Sequence, residues 1–164
     1  MLKQFLLIAL LALLVTGISA SEDDPERYAI NQIIKAQKAP AGVIFAVREY
    51  EEDALIWVLP RVERYIQEIR SSYPEISIAM MSHGDELTSL SHSKLADYHS
   101  MHQLLKKLVV EQQLRFHICG TMAEMSGLSA DDFPEYVDVV PFGPSQVEDY
   151  LSLGYVLVDL ELTW

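Results

Sequence analysis

The hydrophobic pattern divides the chain into an apolar leader and a series of alternating short and long periodic segments. Phe5 to Val15 is an unbroken apolar run, preceded by Lys3 and followed by Thr16-Gly17-Ile18-Ser19-Ala20. A positive start, a short apolar stretch and a small-residue site form the three-part pattern of a secretory signal peptide, with cleavage expected after Ala20. The run falls short of the roughly 20 apolar residues that a bilayer-spanning helix needs. No Cys follows the small residues, so the pattern carries no lipoprotein anchor. The expected location is periplasmic, with no stable membrane insertion after cleavage.

Residues 21–39 read as an N-terminal extension: an acidic start, then Tyr28, Ile30, Ile33 and Ile34 at loosely helical spacing. The domain is expected to span residues 40–164, with its core beginning at Pro40. Ala41 to Val47 is a continuous apolar run bounded by turn residues, the mark of a strand buried on both faces. Asp53 to Ser71 carries Leu55, Val58, Leu59, Val62, Tyr65, Ile66 and Ile69 at helical spacing, with Pro60 predicting a kink or a later helix start. Ile76 to Ser82 predicts a second strand, Lys94 to Gln113 a long helix, and Arg115 to Cys119 a third strand. Thr121 to Ser126 predicts a short helix stopped at Gly127. Val137 to Val140 predicts a fourth strand, Pro144 to Leu153 a helix with Gly154 past its end, and Tyr155 to Leu160 a fifth strand.

Strands alternating with helices imply βαβ units: an α/β fold of three layers, α/β/α, around a mostly parallel five-stranded sheet. Right-handed crossovers gather the loops after the strands at one edge, where sites of such folds lie. Three loops are expected to converge there: His83-Gly84, Cys119-Gly120-Thr121 and Phe142-Gly143.

Charge and cysteine usage narrow the function classes. Removing 20 of 164 residues leaves 144, one domain of ordinary size. All 24 acids lie beyond Ala20 and Lys3 departs, so the remaining charge is 11 − 24 = −13. That field repels nucleic acid and anionic membrane surfaces. One cysteine cannot form an internal disulfide, so Cys119 is buried, paired with another chain, or reactive. At a strand end opening a helix it sits where a thiolate is stabilised. Thr121 and the Gly120 amide are candidate donors to a sulfur anion. His83 is a candidate partner of the thiol, and Gly84 and Gly143 are candidate binding positions. His99 and His102 provide two ligands at most and no recognisable partner spacing, so no metal is assigned. No cofactor is assigned either: no Gly-rich phosphate loop and no Gly-x-Ser-x-Gly elbow occur.

The stretch Phe116-His117-Ile118-Cys119-Gly120-Thr121-Met122-Ala123, then Gly127-Leu128, Asp131-Asp132, Val137 to Gly143, and Tyr150 to Tyr155 resembles the DsrE/DsrF-like (YchN-like) sulfur-relay family. Met81-Ser82-His83-Gly84 and the Val43 strand extend the resemblance over roughly Gly42 to Leu160. It implies a three-layer α/β/α domain that forms homo- or hetero-oligomers. It also implies that Cys119 carries sulfane sulfur as a persulfide between a donor and an acceptor protein. The cytoplasmic relay members work in a reducing compartment, whereas this chain is expected to be exported. Two functions therefore stand side by side. One is a periplasmic sulfur carrier acting through Cys119. The other is a non-catalytic oligomeric module that binds a small molecule or a partner, with Cys119 buried as packing.

Overall fold

A computed structural model describes residues 24–162; the expected signal peptide lies outside them. The elements are α1 (Pro25–Lys35), β1 (Gly42–Val47), α2 (Leu55–Ser72), β2 (Ser77–Ser82), α3 (His99–Val110), β3 (Arg115–Cys119), α4 (Gly120–Met125), β4 (Asp138–Val140), α5 (Gly143–Ser152) and β5 (Tyr155–Leu160). The five strands form one sheet in the order β4-β3-β2-β1-β5, every neighbouring pair parallel.

Side chains alternate across the sheet, so each strand feeds two cores. Val43, Phe45, Ile78, Met80, Phe116, Ile118 and Val158 face α1, α2 and α3. Ile44, Ala79, Met81 and Val140 face Tyr150 and Val147 of α5. The result is a three-layer α/β/α fold with unequal layers: three long helices cover one face and α5 alone covers the other. Among the described residues, no helix is long and apolar enough to cross a membrane.

Three expectations need correction. The core does not begin at Pro40. The helix α1 starts with Asp24 as its cap, its side chain accepting from the Arg27 amide at 3.0 Å, and Pro25 in the first turn. Its Ile30 and Ile33 are buried in the larger core, and its Glu26 carboxylate accepts from the Tyr65 hydroxyl and the Glu161 amide. The extension is thus the outermost piece of the three-helix layer. Second, α2 begins at Leu55, five residues before Pro60. The carbonyl of Ile56, which Pro60 cannot serve, lies on a stretch where Ile56, Trp57 and Pro60 are all exposed, so losing that one helical donor does not strand a buried acceptor. Third, the helix expected over Lys94 to Gln113 is α3 alone, preceded by a short 3-10 turn at His92–Lys94. Glu52 holds the Lys94 ammonium at 2.7 Å and the Tyr98 hydroxyl at 2.8 Å, anchoring the segment as a loop. Gln113 in the left-handed region, at φ 52°, ends the run. The strands over Arg115–Cys119 and Tyr155–Leu160 have the predicted bounds. Gly154 turns α5 into β5 at φ 86°, a conformation that favours glycine.

Truncating Ile30 to alanine should lower the unfolding free energy by about 2–5 kcal/mol, the cost of a cavity at a fully buried aliphatic site. Urea denaturation checks this; an unchanged midpoint would place α1 outside the cooperative unit.

Candidate functional site

After β4 the strand order reverses and the chain returns to lay β5 against β1, on the far side from β2. A cleft of about 330 Å³ opens at the carboxyl ends of these three strands, the position that a switch in strand order leaves uncovered. Ala46, Val47 and Arg48 enter it from the end of β1, and Met81 and His83 from β2. Asp159, Leu160 and Glu161 come from β5, and Gly143, Pro144 and Val147 from the start of α5. The floor is apolar; the rim carries one cation, Arg48, and two carboxylates, Asp159 and Glu161.

Gly143 is the point where the predicted site residues meet. A side-chain carbon on Gly143 would stand 3.1 Å from His83 Nδ1, 3.1 Å from Met81 Sδ and 3.2 Å from Cys119 Cβ. Only glycine leaves those three neighbours undisturbed. The backbone N–H of Gly143 donates to Cys119 Sγ at 3.3 Å. The thiol itself is fully buried and does not line the cleft; it lies beneath Gly143.

The loops after β2, β3 and β4 therefore do converge, but not as the sequence suggests. Thr121 does not reach the sulfur. Its hydroxyl and its amide both go to the carbonyl of Pro141, at 3.0 Å and 3.3 Å, and its side chain is exposed. The amide that serves Sγ belongs to Gly143 rather than Gly120, because α5 begins directly over the end of β3. Gly120 lies against the Val140 carbonyl, 2.9 Å from where its side-chain carbon would stand, which ties the start of α4 to the end of β4. The helix α4 has only six residues and Cys119 makes no side-chain cap bond there.

His83 makes no hydrogen bond to Cys119. Its ring meets Phe142 edge to face, with centroids 6.4 Å apart. Its Nδ1 is buried without a hydrogen-bond partner among the described residues. Burial, reinforced by the nearby Arg48 charge, holds the imidazole below its ordinary pKa and so keeps it neutral near pH 7.

The loop that presents His83 is pinned by Glu86, which sequence reasoning passed over. One carboxylate oxygen of this fully buried residue accepts from Ser82 Oγ at 2.7 Å and from the amides of His83 and Gly84 at 3.0 Å. The other accepts from the Glu49 amide at 2.8 Å, joining the loops after β1 and β2. Gly84 serves this clamp and does not line the cleft. Arg48, Asp159 and Glu161 were also missed. Their only sequence signal is a charge at or just past the end of an apolar strand.

Two of the other histidines, both buried, are occupied. His102 Nδ1 lies 2.8 Å from the Tyr136 hydroxyl and its Nε2 3.0 Å from the Ser89 carbonyl. His117 lies between Asp138, 2.7 Å from Nδ1, and the Tyr150 hydroxyl, 2.8 Å from Nε2, which fastens α5 to β3 and β4. No group of three His, Cys, Asp or Glu residues able to hold a metal occurs among the described residues.

Burial pushes the Glu86 carboxyl above its ordinary 4.5, and its donors pull it back only in part. The folded chain then holds the proton to higher pH than the unfolded chain does. Stability should accordingly decline as pH rises from about 4.5 through the folded value. Glu86→Gln should lose that slope, as urea unfolding across pH will show. Glu86→Ala, which strands several buried donors, should cost roughly 2–5 kcal/mol at pH 7.

No protein-family model matches the chain, and no curated relative does. Among solved structures, it is similar to a protein of unknown function, MTH1491, from Methanobacterium thermoautotrophicum. The TM-score is 0.58 at 20% identity, over 72% of this chain and 97% of that one. A likeness at that identity supports the α/β fold and carries no statement about activity.

Proposed function

We propose that the chain is a binding module whose carboxyl-edge cleft takes a small ligand, without turnover. The observation that carries this reading is the arrangement at Gly143. Four elements build an open, mostly apolar cleft with charged groups on its rim, while the one thiol of the chain is sealed beneath the floor. Clefts of this size and lining are the usual form of small-molecule sites. In the resemblance to the DsrE-like family, the module is an exported member that assembles with copies of itself. Phe142, Leu151 and Leu153, exposed on and beside α5, support an assembly surface there.

A second reading, the sulfur carrier, is favoured by one contact, the Gly143 N–H donated to Cys119 Sγ. A donor at that distance would stabilise a thiolate. The thiolate would attack a terminal sulfur of a polysulfide, breaking its S–S bond and releasing the shortened polysulfide as the anion. The fully buried sulfur makes this route depend on an opening of the α5 start.

Thiol labelling separates the two. In the binding-module reading, Cys119 of the native protein reacts with a thiol reagent at least about a hundredfold more slowly than in urea, because a buried thiol is inert. Intact-mass spectrometry after polysulfide shows no gain of sulfur. Labelling at the unfolded rate, with a reductant-reversible gain of whole sulfur atoms absent from Cys119→Ser, would transfer the conclusion to the sulfur carrier. Light scattering on the same sample is expected to give a mass above that of a monomer, reduced in Leu153→Asp.

A further inference from the structure

Strand register lays two short rows of side chains across the cleft. Asp159 of β5, Ala46 of β1 and Met81 of β2 are cross-strand neighbours, and all three line the cleft. Residues two apart on a strand share a face, so Arg48 stands one step further along β1 on that same side. By the register of Val47 with Leu160 and Ser82, its neighbours are Glu161 and His83. Ala46 contributes only a methyl group, so the first row dips between the Asp159 carboxylate and the Met81 thioether. Pro144 and Val147 of α5 add an apolar side wall. The charges of this cleft do not neutralise one another. Glu161 is the cross-strand neighbour of Arg48, yet among the described residues Arg48, Asp159 and Glu161 make no ion pair. Burial, and after it the Arg48 charge, lowers the His83 pKa, so the guanidinium field reaches the β2 side of the cleft. Both carboxylates come from the β5 side. The cleft is dipolar, with an apolar depression between its poles.

We infer that the cleft takes a small zwitterion with an aliphatic body, an apolar α-amino acid, with its carboxylate on Arg48, its ammonium on Asp159 and its side chain over Ala46 and Met81. This rests on the cleft being a binding site and names its ligand. A guanidinium presents a planar fork that matches a carboxylate in two parallel hydrogen bonds. Two residues along a strand span about 6.6 Å and neighbouring strands lie about 4.8 Å apart, which separates the Arg48 and Asp159 backbones by on the order of 8 Å. Both side chains can then converge on the head of one amino acid. Such a ligand supplies each charge with the partner that the protein withholds. A simple amine would meet Asp159 but set its charge beside Arg48, and a simple carboxylate would meet Arg48 but face two carboxylates. An uncharged apolar molecule would cover these groups without pairing them, which is costly. The volume, about 330 Å³, lies near the lower end of the roughly 300–1,000 Å³ usual for such clefts and suits a ligand well below drug size.

The test is titration calorimetry of the folded protein with L-leucine and with three compounds that each lack one of its features. These are 3-methylbutylamine, without the carboxylate, 4-methylpentanoate, without the ammonium, and glycine, without the aliphatic chain. The proposal expects one leucine bound per chain and each of the other three weaker by about tenfold or more, the loss of a hydrogen bond to a charged partner or of a buried aliphatic body. Arg48→Gln should weaken leucine by about tenfold or more and leave 3-methylbutylamine no weaker. Asp159→Asn should weaken leucine similarly and leave 4-methylpentanoate no weaker. Urea unfolding confirms that each variant is folded. Leucine that does not bind would overturn the proposal. So would an amine or a carboxylate that binds as tightly as leucine, or a leucine affinity that neither variant changes. In each of those cases a thermal-shift screen of small molecules other than amino acids judges the binding-module reading separately. Hits lost on filling the depression with Ala46→Leu would keep that reading with another class of ligand, and a screen without such hits would end both.

Discussion

The return of the chain after β4 is the constraint on which the rest of this structure depends. The first four strands step outward in one direction, from β1 to β4, with the connecting helices on one face. To place β5 against the free edge of β1 the chain must travel back across the sheet. A right-handed crossover in that direction lies on the opposite face. One helix of ten residues, α5, therefore covers that whole face. It must begin over the ends of β2 and β3, which brings the first residue of α5, Gly143, into contact with Met81, His83 and Cys119. The same reversal leaves the carboxyl ends of β1, β2 and β5 open beside the start of α5, where the cleft lies.

Polar groups along this face are arranged to hold α5 and the strand ends in place. Asp138, His117 and Tyr150 join β4, β3 and α5 in one chain of hydrogen bonds. Glu86 gathers the backbone amides of His83, Gly84 and Glu49 around one buried carboxylate. Buried networks of this kind stabilise only when every member is satisfied. Against that background the Nδ1 of His83 is, with Arg61 Nε, one of two buried side-chain polar atoms without a partner among the described residues, and it lies at the wall of the cleft.

The thiol changes meaning once its surroundings are known. As a sequence feature, a lone cysteine at a strand end leaves burial, pairing with another chain and reactivity all open. In the fold it is a fully buried sulfur with an amide hydrogen bond, beneath the floor of the cleft. A persulfide route needs α5 to lift at its first turn, and the Asp138–His117–Tyr150 chain resists that movement from the far end of the helix.

Hydropathy by itself determined the order of strands and helices, because buried parallel strands write continuous apolar runs and surface helices write a 3.6-residue stripe. Arg115–Cys119 and Tyr155–Leu160 were legible to the residue, and the convergence of His83, Cys119 and Gly143 followed from the carboxyl-edge rule. Periodicity could not place α1 in the core, since Ile30 and Ile33 are buried only by the presence of α2 and β5. It also ran α3 too far toward its start, because the Glu52 clamp on Lys94 and Tyr98 spans some forty residues of sequence. Tertiary structure alone decided which amide meets the sulfur, that Thr121 turns to Pro141, and that Arg48, Asp159 and Glu161 share a rim. Each of these depends on strand order, and strand order depends on long-range pairing, which local pattern does not encode.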